Sequence, residues 1–154
     1  MGDRPNPVKL TPDAYKAMKM LSDYTQNSGL DKKLLELVKI RASQINGCAF
    51  CLDMHATAAM KLGETDLRML MLSAWDEAGL YSEREKAALA WTEAVTLISE
   101  SQISDELYET AREHFSEKEL ADLTWAITVI NGWNRMMVAF AVPPSGVGGK
   151  TSAQ

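Results

Sequence analysis

Residues 34–55 read LLELVKIRASQINGCAFCLDMH, and the way this stretch divides decides the fold. Leu34, Leu35, Val38, Ile40 and Ile45 recur at helical spacing, Asp31 stands ready as a cap in front of them, and Asn46-Gly47 supplies a left-handed stop. A second helix starts at or beside Cys48 and runs to Leu62, where Gly63 ends it. Upstream, Thr11 and Pro12 open a helix that reaches about Tyr24 and stops at Asn27-Ser28-Gly29. Downstream, a helix over about Thr65 to Ala74 leads into a loop around Asp76 to Tyr81. Ser82 with Glu85 forms a capping box for a helix to about Ser99, and Ser104 opens a short one. Ser116 with Glu119 opens a last helix to about Ala141, which Pro143-Pro144 stops. Strand-like alternation is absent, so the expectation is an all-α subunit of about six to seven helices. A single helical domain would span residues 1–142, with a flexible Gly/Ser-rich tail over 143–154.

The composition excludes several classes. With 154 residues the chain is long enough to close a core without staples, and Cys48 and Cys51 are too near in sequence to form a disulfide framework. A net charge of −5, from 16 Lys and Arg against 21 Asp and Glu, argues against a phosphate-tracking surface for nucleic acid or for anionic membranes. The apolar stretch Leu123 to Val142 is broken by Asn131, Gly132, Asn134 and Arg135 and does not qualify as a membrane span. Met1 to Leu10 holds no run of signal-peptide length. The expected setting is a reducing cytoplasm, where a Cys pair reads as redox-active or metal-binding.

On a helix each residue turns the axis by about 100°, which puts Cys48 and His55 within about 20° of one another and Cys51 about 40° from His55. The three share one face. Cys51 and His55 stand at the i,i+4 spacing where side chains meet, and Cys48 sits among the unpaired N–H groups of a helix start, which favour a thiolate. Two thiols on one turn can close a disulfide, so a thiolate that has attacked an electrophilic oxygen or sulfur can be resolved by its neighbour.

Lowering a thiol pKa from about 8.5 to about 6.5 raises the thiolate fraction at pH 7 about 25-fold. It also costs about eightfold in intrinsic nucleophilicity, leaving a net gain of about threefold. Returning a proton to the leaving oxygen is worth more, typically 10²–10⁴-fold. His55 is therefore expected to shuttle a proton, with a carboxylate from the adjacent helix to orient and reload it.

Glu36, Cys48, Cys51 and His55 stand in E-x11-C-x-x-C-x3-H spacing, which resembles the core of the alkylhydroperoxidase D family within the carboxymuconolactone decarboxylase-like superfamily. Leu37 to Gly47, Ala56 to Gly63 and the tract Ile130-Asn131-Gly132-Trp133-Asn134-Arg135 extend the resemblance over roughly residues 10–141. It implies an all-helical subunit assembling as a homotrimer or homohexamer, and a thiol-dependent peroxidase that needs no metal, haem or other bound cofactor. In that scheme Cys51 takes the oxygen of a hydroperoxide substrate and Cys48, at the more exposed position, resolves it as a disulfide. Glu36 and His55 pass protons, and an external dithiol protein, a lipoyl carrier in well-known members, restores the thiols. Those members place a His just before the second Cys, where this chain has Phe50. Helix-dipole reasoning alone favours Cys48 as the low-pKa thiol, so the order of attack stays open.

Two other functions fit parts of the pattern. A decarboxylase or lactone-processing enzyme of the same superfamily would need cationic or His side chains to hold a dicarboxylate and would not need both thiols. A non-catalytic redox sensor would use the disulfide to alter oligomer packing. Zinc could count four ligands in Cys48, Cys51, His55 and Glu36, but structural sites normally draw on two ligand pairs. Trp133 and Asn134 are candidates for a pocket wall. Most Met and Trp residues read as core or interface filler.

Overall fold

A computed structural model describes residues 4–145, and every regular element among them is helical. In chain order these are α1 (Pro7–Leu10), α2 (Pro12–Gln26), α3 (Lys32–Asn46), α4 (Ala49–Lys61) and α5 (Asp66–Leu70), then a 3₁₀ turn (Met71–Ala74). Then follow α6 (Trp75–Ala78), α7 (Glu83–Thr96), α8 (Asp105–His114) and α9 (Glu117–Ala139). The tail expected over 143–154 lies outside the described residues from position 146 onward.

Helix α3 is the axis of the molecule. It packs against α4, α7 and α9 at once, which is why Leu34, Leu35, Leu37, Val38, Ile40 and Ala42 are all buried instead of forming a single stripe. One core cluster joins Leu34, Leu35 and Val38 to Trp91, Phe115, Leu123 and Ile127 between α3, α7, α8 and α9. A second joins Leu37 and Ile40 to Ala59, Leu72, Tyr81 and Leu89. A third gathers Ala42, Cys48, Cys51, Ile130 and Met137 where α3, α4 and α9 converge. The two thiol positions are thus built into the core at a three-helix junction.

Local chemistry sets the helix ends. Asp31 caps α3 through its bond from the Leu34 N–H (2.9 Å), and Gly47 (φ 65°, ψ 34°) takes the left-handed conformation that terminates it. Both capping boxes, Ser82 with Glu85 and Ser116 with Glu119, are formed. Thr11 precedes α2 as expected, but its hydroxyl donates to the Pro7 carbonyl (3.1 Å) instead of capping.

Several expectations are corrected. The all-α expectation holds among the described residues, and what changes is the subdivision: one-turn pieces interrupt what was read as continuous and bring the α-helical segments to nine. Residues 66–74 tighten from α to 3₁₀ at Met71, and the expected loop begins as the turn α6, which Gly79 ends at φ 63°. Helix α1 was not foreseen; Asn6 caps it by accepting from the Val8 N–H (2.9 Å), and Pro7 occupies its first position. Helix α9 stops at Ala139, before the prolines, and Ala141 turns the chain at φ 52°. Of the Met and Trp residues read as core or interface filler, Met54, Met60, Met71, Met136 and Trp125 are not core, being exposed in the single chain. No helix among the described residues is long and apolar enough to cross a membrane.

Candidate active site at the junction of α3, α4 and α9

The left-handed turn at Gly47 reverses the chain, so α4 starts beside the end of α3. Cys48 is its N-cap, with extended backbone (φ −90°, ψ 92°) and a sulfur that accepts from the Cys51 N–H at 3.3 Å. Its own N–H is taken by the Ser43 carbonyl at 3.0 Å. Cys48 and Cys51 are joined as a disulfide, their Cα atoms 5.4 Å apart. Both residues are only 1% exposed. Cys51 lines a cavity of about 380 Å³ and Cys48 is not among its lining residues. This corrects the expectation that Cys48 is the more exposed thiol: both cysteines are equally buried in the α3/α4/α9 cluster, and of the two it is Cys51, one turn on, that also lines the cavity.

One turn beyond Cys51, His55 lines the same cavity, and its Nδ1 lies 2.7 Å from Glu36 Oε2. Glu36 is 3% exposed, a buried carboxylate inside the site. Its other oxygen, Oε1, accepts from Lys39 Nζ at 2.8 Å, and the same ammonium donates to Gln26 Oε1 at 2.8 Å. Burial pushes the Glu36 carboxyl up. The hydrogen bond from His55 and the nearby Lys39 charge outweigh burial and hold it below the ordinary carboxylate range. Glu36 is therefore ionised at neutral pH and accepts the Nδ1–H of His55, which leaves Nε2 as the ring atom free to exchange a proton.

The far wall of the cavity comes from α2 and α9. Tyr15 and Trp133 meet edge to face with ring centroids 5.5 Å apart, and the Trp133 indole N–H donates to Ser22 Oγ at 2.9 Å. Phe50 and Met54 add apolar surface from α4. The cavity's two lysines are both engaged, Lys39 as described and Lys19 with Asp23.

All four residues singled out in the sequence meet at this junction: Cys48 and Cys51 as a bonded pair, and Glu36 and His55 as a hydrogen-bonded pair beside it. Trp133 lines the cavity as anticipated. Asn134 does not; it is fully buried, bonded to Asn46 and Ser43. Lys39 and Gln26 escaped notice. An i,i+3 spacing from Glu36 marks Lys39 as a carboxylate partner, but nothing local in the sequence marks Gln26, which arrives from α2. Among the described residues no group of three or more His, Cys, Asp or Glu is placed to hold a metal ion, so the four residues that could be counted as zinc ligands do not form a ligand set.

The model of the carboxymuconolactone decarboxylase family matches residues 12–94, which take in α2, α3, the Cys pair and most of α7. The chain belongs to this family. Within the carboxymuconolactone decarboxylase family its likeness is to AhpD-type members. The uncharacterised protein YdfG of Bacillus subtilis is 45% identical over 139 residues, covering 90% of this chain and 95% of that protein. A solved structure from Agrobacterium tumefaciens, of unknown function and suggested to be the antioxidant defence protein AhpD, superposes with a TM-score of 0.90 at 43% identity. That match covers 93% of this chain and 98% of the other. The alkyl hydroperoxide reductase AhpD of Coxiella burnetii is 49% identical over 37 residues, 24% of this chain and 21% of that protein.

Proposed function

We propose that this protein is a thiol-dependent peroxidase that reduces alkyl hydroperoxides or hydrogen peroxide in a reducing compartment and cycles through the Cys48–Cys51 disulfide. One observation carries the reading: Cys51 opens onto the same cavity as a histidine whose Nδ1 is held by an ionised carboxylate. In the reduced protein the Cys51 thiol yields its proton through His55 Nε2, and the thiolate attacks the terminal peroxide oxygen. The O–O bond breaks, His55 returns the proton to the departing alkoxide, and Cys51 becomes a sulfenic acid. The Cys48 thiolate then attacks that sulfur; the S–O bond breaks, oxygen leaves as water, and the disulfide closes. An external dithiol supplies two electrons and two protons to reopen it, becoming a disulfide itself.

The family's name points to a second reaction, decarboxylation of a lactone dicarboxylate. Both lysines of the cavity are committed to acidic partners, which leaves no unpaired ammonium there to receive a dicarboxylate. The bonded Cys pair favours the redox reading.

Treating the reduced protein with one equivalent of an alkyl hydroperoxide tests it. The expected result is loss of the hydroperoxide with formation of one intramolecular Cys48–Cys51 disulfide by mass spectrometry. Unchanged thiols with unconsumed hydroperoxide would sink the reading. Retained turnover of a muconolactone by a Cys48→Ser/Cys51→Ser double variant would replace it with the decarboxylase.

A further inference from the structure

We propose that Lys39 is a positioning residue of this site. Its ammonium, bound between Glu36 Oε1 and Gln26 Oε1, keeps the Glu36 carboxylate charged and its second oxygen committed to His55, and ties both to the end of α2. The role in turnover rests on the peroxidase reading; the electrostatic role does not.

Lys39 is three residues from Glu36 on α3, and its side chain is 12% exposed, against 4% for Glu36. A lysine on a solvated helix face would be mobile and weakly coupled to its neighbour. Here the ammonium has two fixed acceptors at 2.8 Å on different helices, and it lines the cavity that Cys51 and His55 share. Glu36 divides its two oxygens between two donors, Oε1 to Lys39 and Oε2 to His55. Without the ammonium, the buried Glu36 carboxylate faces His55 as its one charged partner and draws a proton onto the imidazole more strongly, which alters the relay.

The charged and titratable groups facing Lys39 and the relay bear this out as a local effect. Helix α4 contributes His55 and Cys51. Helix α2 contributes Lys19 and Asp23, which pair with each other, and Tyr15, whose ring packs on Trp133. Helix α9 presents Ala126, Val129, Ile130, Trp133 and Met137 to the cavity, none of which titrates. Lys39 is thus the cation placed on the relay. Removing it raises the proton affinity of Glu36, His55 and the reduced Cys51 together and displaces the activity profile toward alkaline pH.

The chain has two histidines, so His55 can be followed by NMR in a His114→Gln background of the reduced full-length protein. Lys39→Met and Lys39→Gln remove the charge, the second keeping an amide donor for Glu36 and a fold should the first be too unstable. Lys39→Arg keeps the charge. In both neutral variants the His55 titration should move to higher pH by about one unit. The pH profile of hydroperoxide-driven disulfide formation should follow it, with a fall of about 3–10-fold at pH 7. Lys39→Arg should restore both to within about twofold. An unmoved His55 titration in both neutral variants would overturn the proposal. So would a rate loss without a displaced profile, or an arginine variant as impaired as the methionine one. If no protein consumes hydroperoxide while the His55 titration moves as stated, the peroxidase reading fails and the electrostatic role of Lys39 stands.

Discussion

Helix α3 carries two buried polar clusters, one at each end of its contact with α4 and α9, and they are built differently. At its C-terminal end, Asn46 donates to the side-chain oxygens of Asn131 and Asn134, both at 2.9 Å. Asn134 donates to Ser43 Oγ (3.0 Å), and Asn131 donates to Thr96 Oγ1 (3.0 Å) and to the Ile127 carbonyl (2.9 Å). Its members are amides and hydroxyls bonded to partners on packed helices, and the one charge that touches them, the Arg135 guanidinium, donates to Asn131 Oδ1 at 3.2 Å. Two turns earlier, Glu36, Lys39 and His55 form a charged cluster that keeps two members open to a cavity. The amide network fixes where α3 and α9 stand and hence where Cys48 begins α4. The charged one leaves a ring nitrogen and, in the reduced protein, a thiol uncommitted. Buried polarity becomes a site where a satisfied network stops short of its last atom.

Substitutions should separate the two clusters, beginning with the largest effect. Glu36→Gln preserves shape and an acceptor oxygen while removing the charge that orients and reloads His55. Stopped-flow oxidation of the reduced protein by hydroperoxide at pH 7 should slow about 10²-fold, with the fold retained by circular dichroism. A rate within a factor of about three of the parent would show that His55 acts without its carboxylate.

Asn134→Ala should do the opposite. Asn134 is fully buried, and its removal leaves Ser43 and Asn46 short of a partner in a packed interior. The expected cost is about 2–4 kcal/mol, read as a fall of roughly 5–15 °C in the thermal midpoint. Oxidation rate per folded molecule should stay within about twofold. A stable Asn134→Ala protein that had lost its activity would erase the distinction between the clusters.

The sequence revealed the parts whose signals are local. Asp31, Ser82 with Glu85 and Ser116 with Glu119 are caps because a side chain reaches a backbone N–H three residues away, and all are formed. Cys51 and His55 could be placed on one face because four residues make about one turn. Glu36 was found through the family resemblance, whose pattern places a Glu twelve residues before the first Cys, since nothing in its own neighbourhood distinguishes a buried glutamate from a solvated one. What stayed hidden depends on tertiary packing. Gln26 reaches Lys39 from another helix, Asn134 faces α3 instead of the cavity, and Ile130 and Met137 on α9 join the cluster that buries both cysteines. The breaks in residues 66–78 were also unreadable, because Leu67-Arg68-Met69-Leu70-Met71-Leu72 propagates a helix by propensity. There Arg68 reaches Glu64, Glu85 and the Leu80 carbonyl, and Tyr81 donates to the Arg68 carbonyl, so tertiary contacts hold the short turns in place.

The last difference between the clusters is their response to acid. The Asn46 network contains no group that titrates between about pH 3 and 7, Arg135 staying charged throughout, so its contribution to stability is the same at both. Glu36 behaves otherwise. Burial raises its carboxyl, but the His55 hydrogen bond and the Lys39 charge leave it below its ordinary value in the folded chain. A carboxyl with a depressed folded pKa binds fewer protons folded than unfolded. Its stabilisation is therefore fully present above the unfolded value, about 4.3, and is lost as pH falls through the folded one. Urea unfolding of the parent and of Glu36→Gln gives a stability difference that is read from about pH 5 downward, below the imidazole range, where the carboxyl is the group that distinguishes the two proteins. Below about pH 4.5 that difference should move steadily against the parent. Asp122 and Glu119 also lie below their ordinary values, but they are present in both proteins and cancel in the difference. A gap that stays constant down to pH 3 would mean that Glu36 is not held ionised by its partners, and the two ends of α3 would then be electrostatically alike.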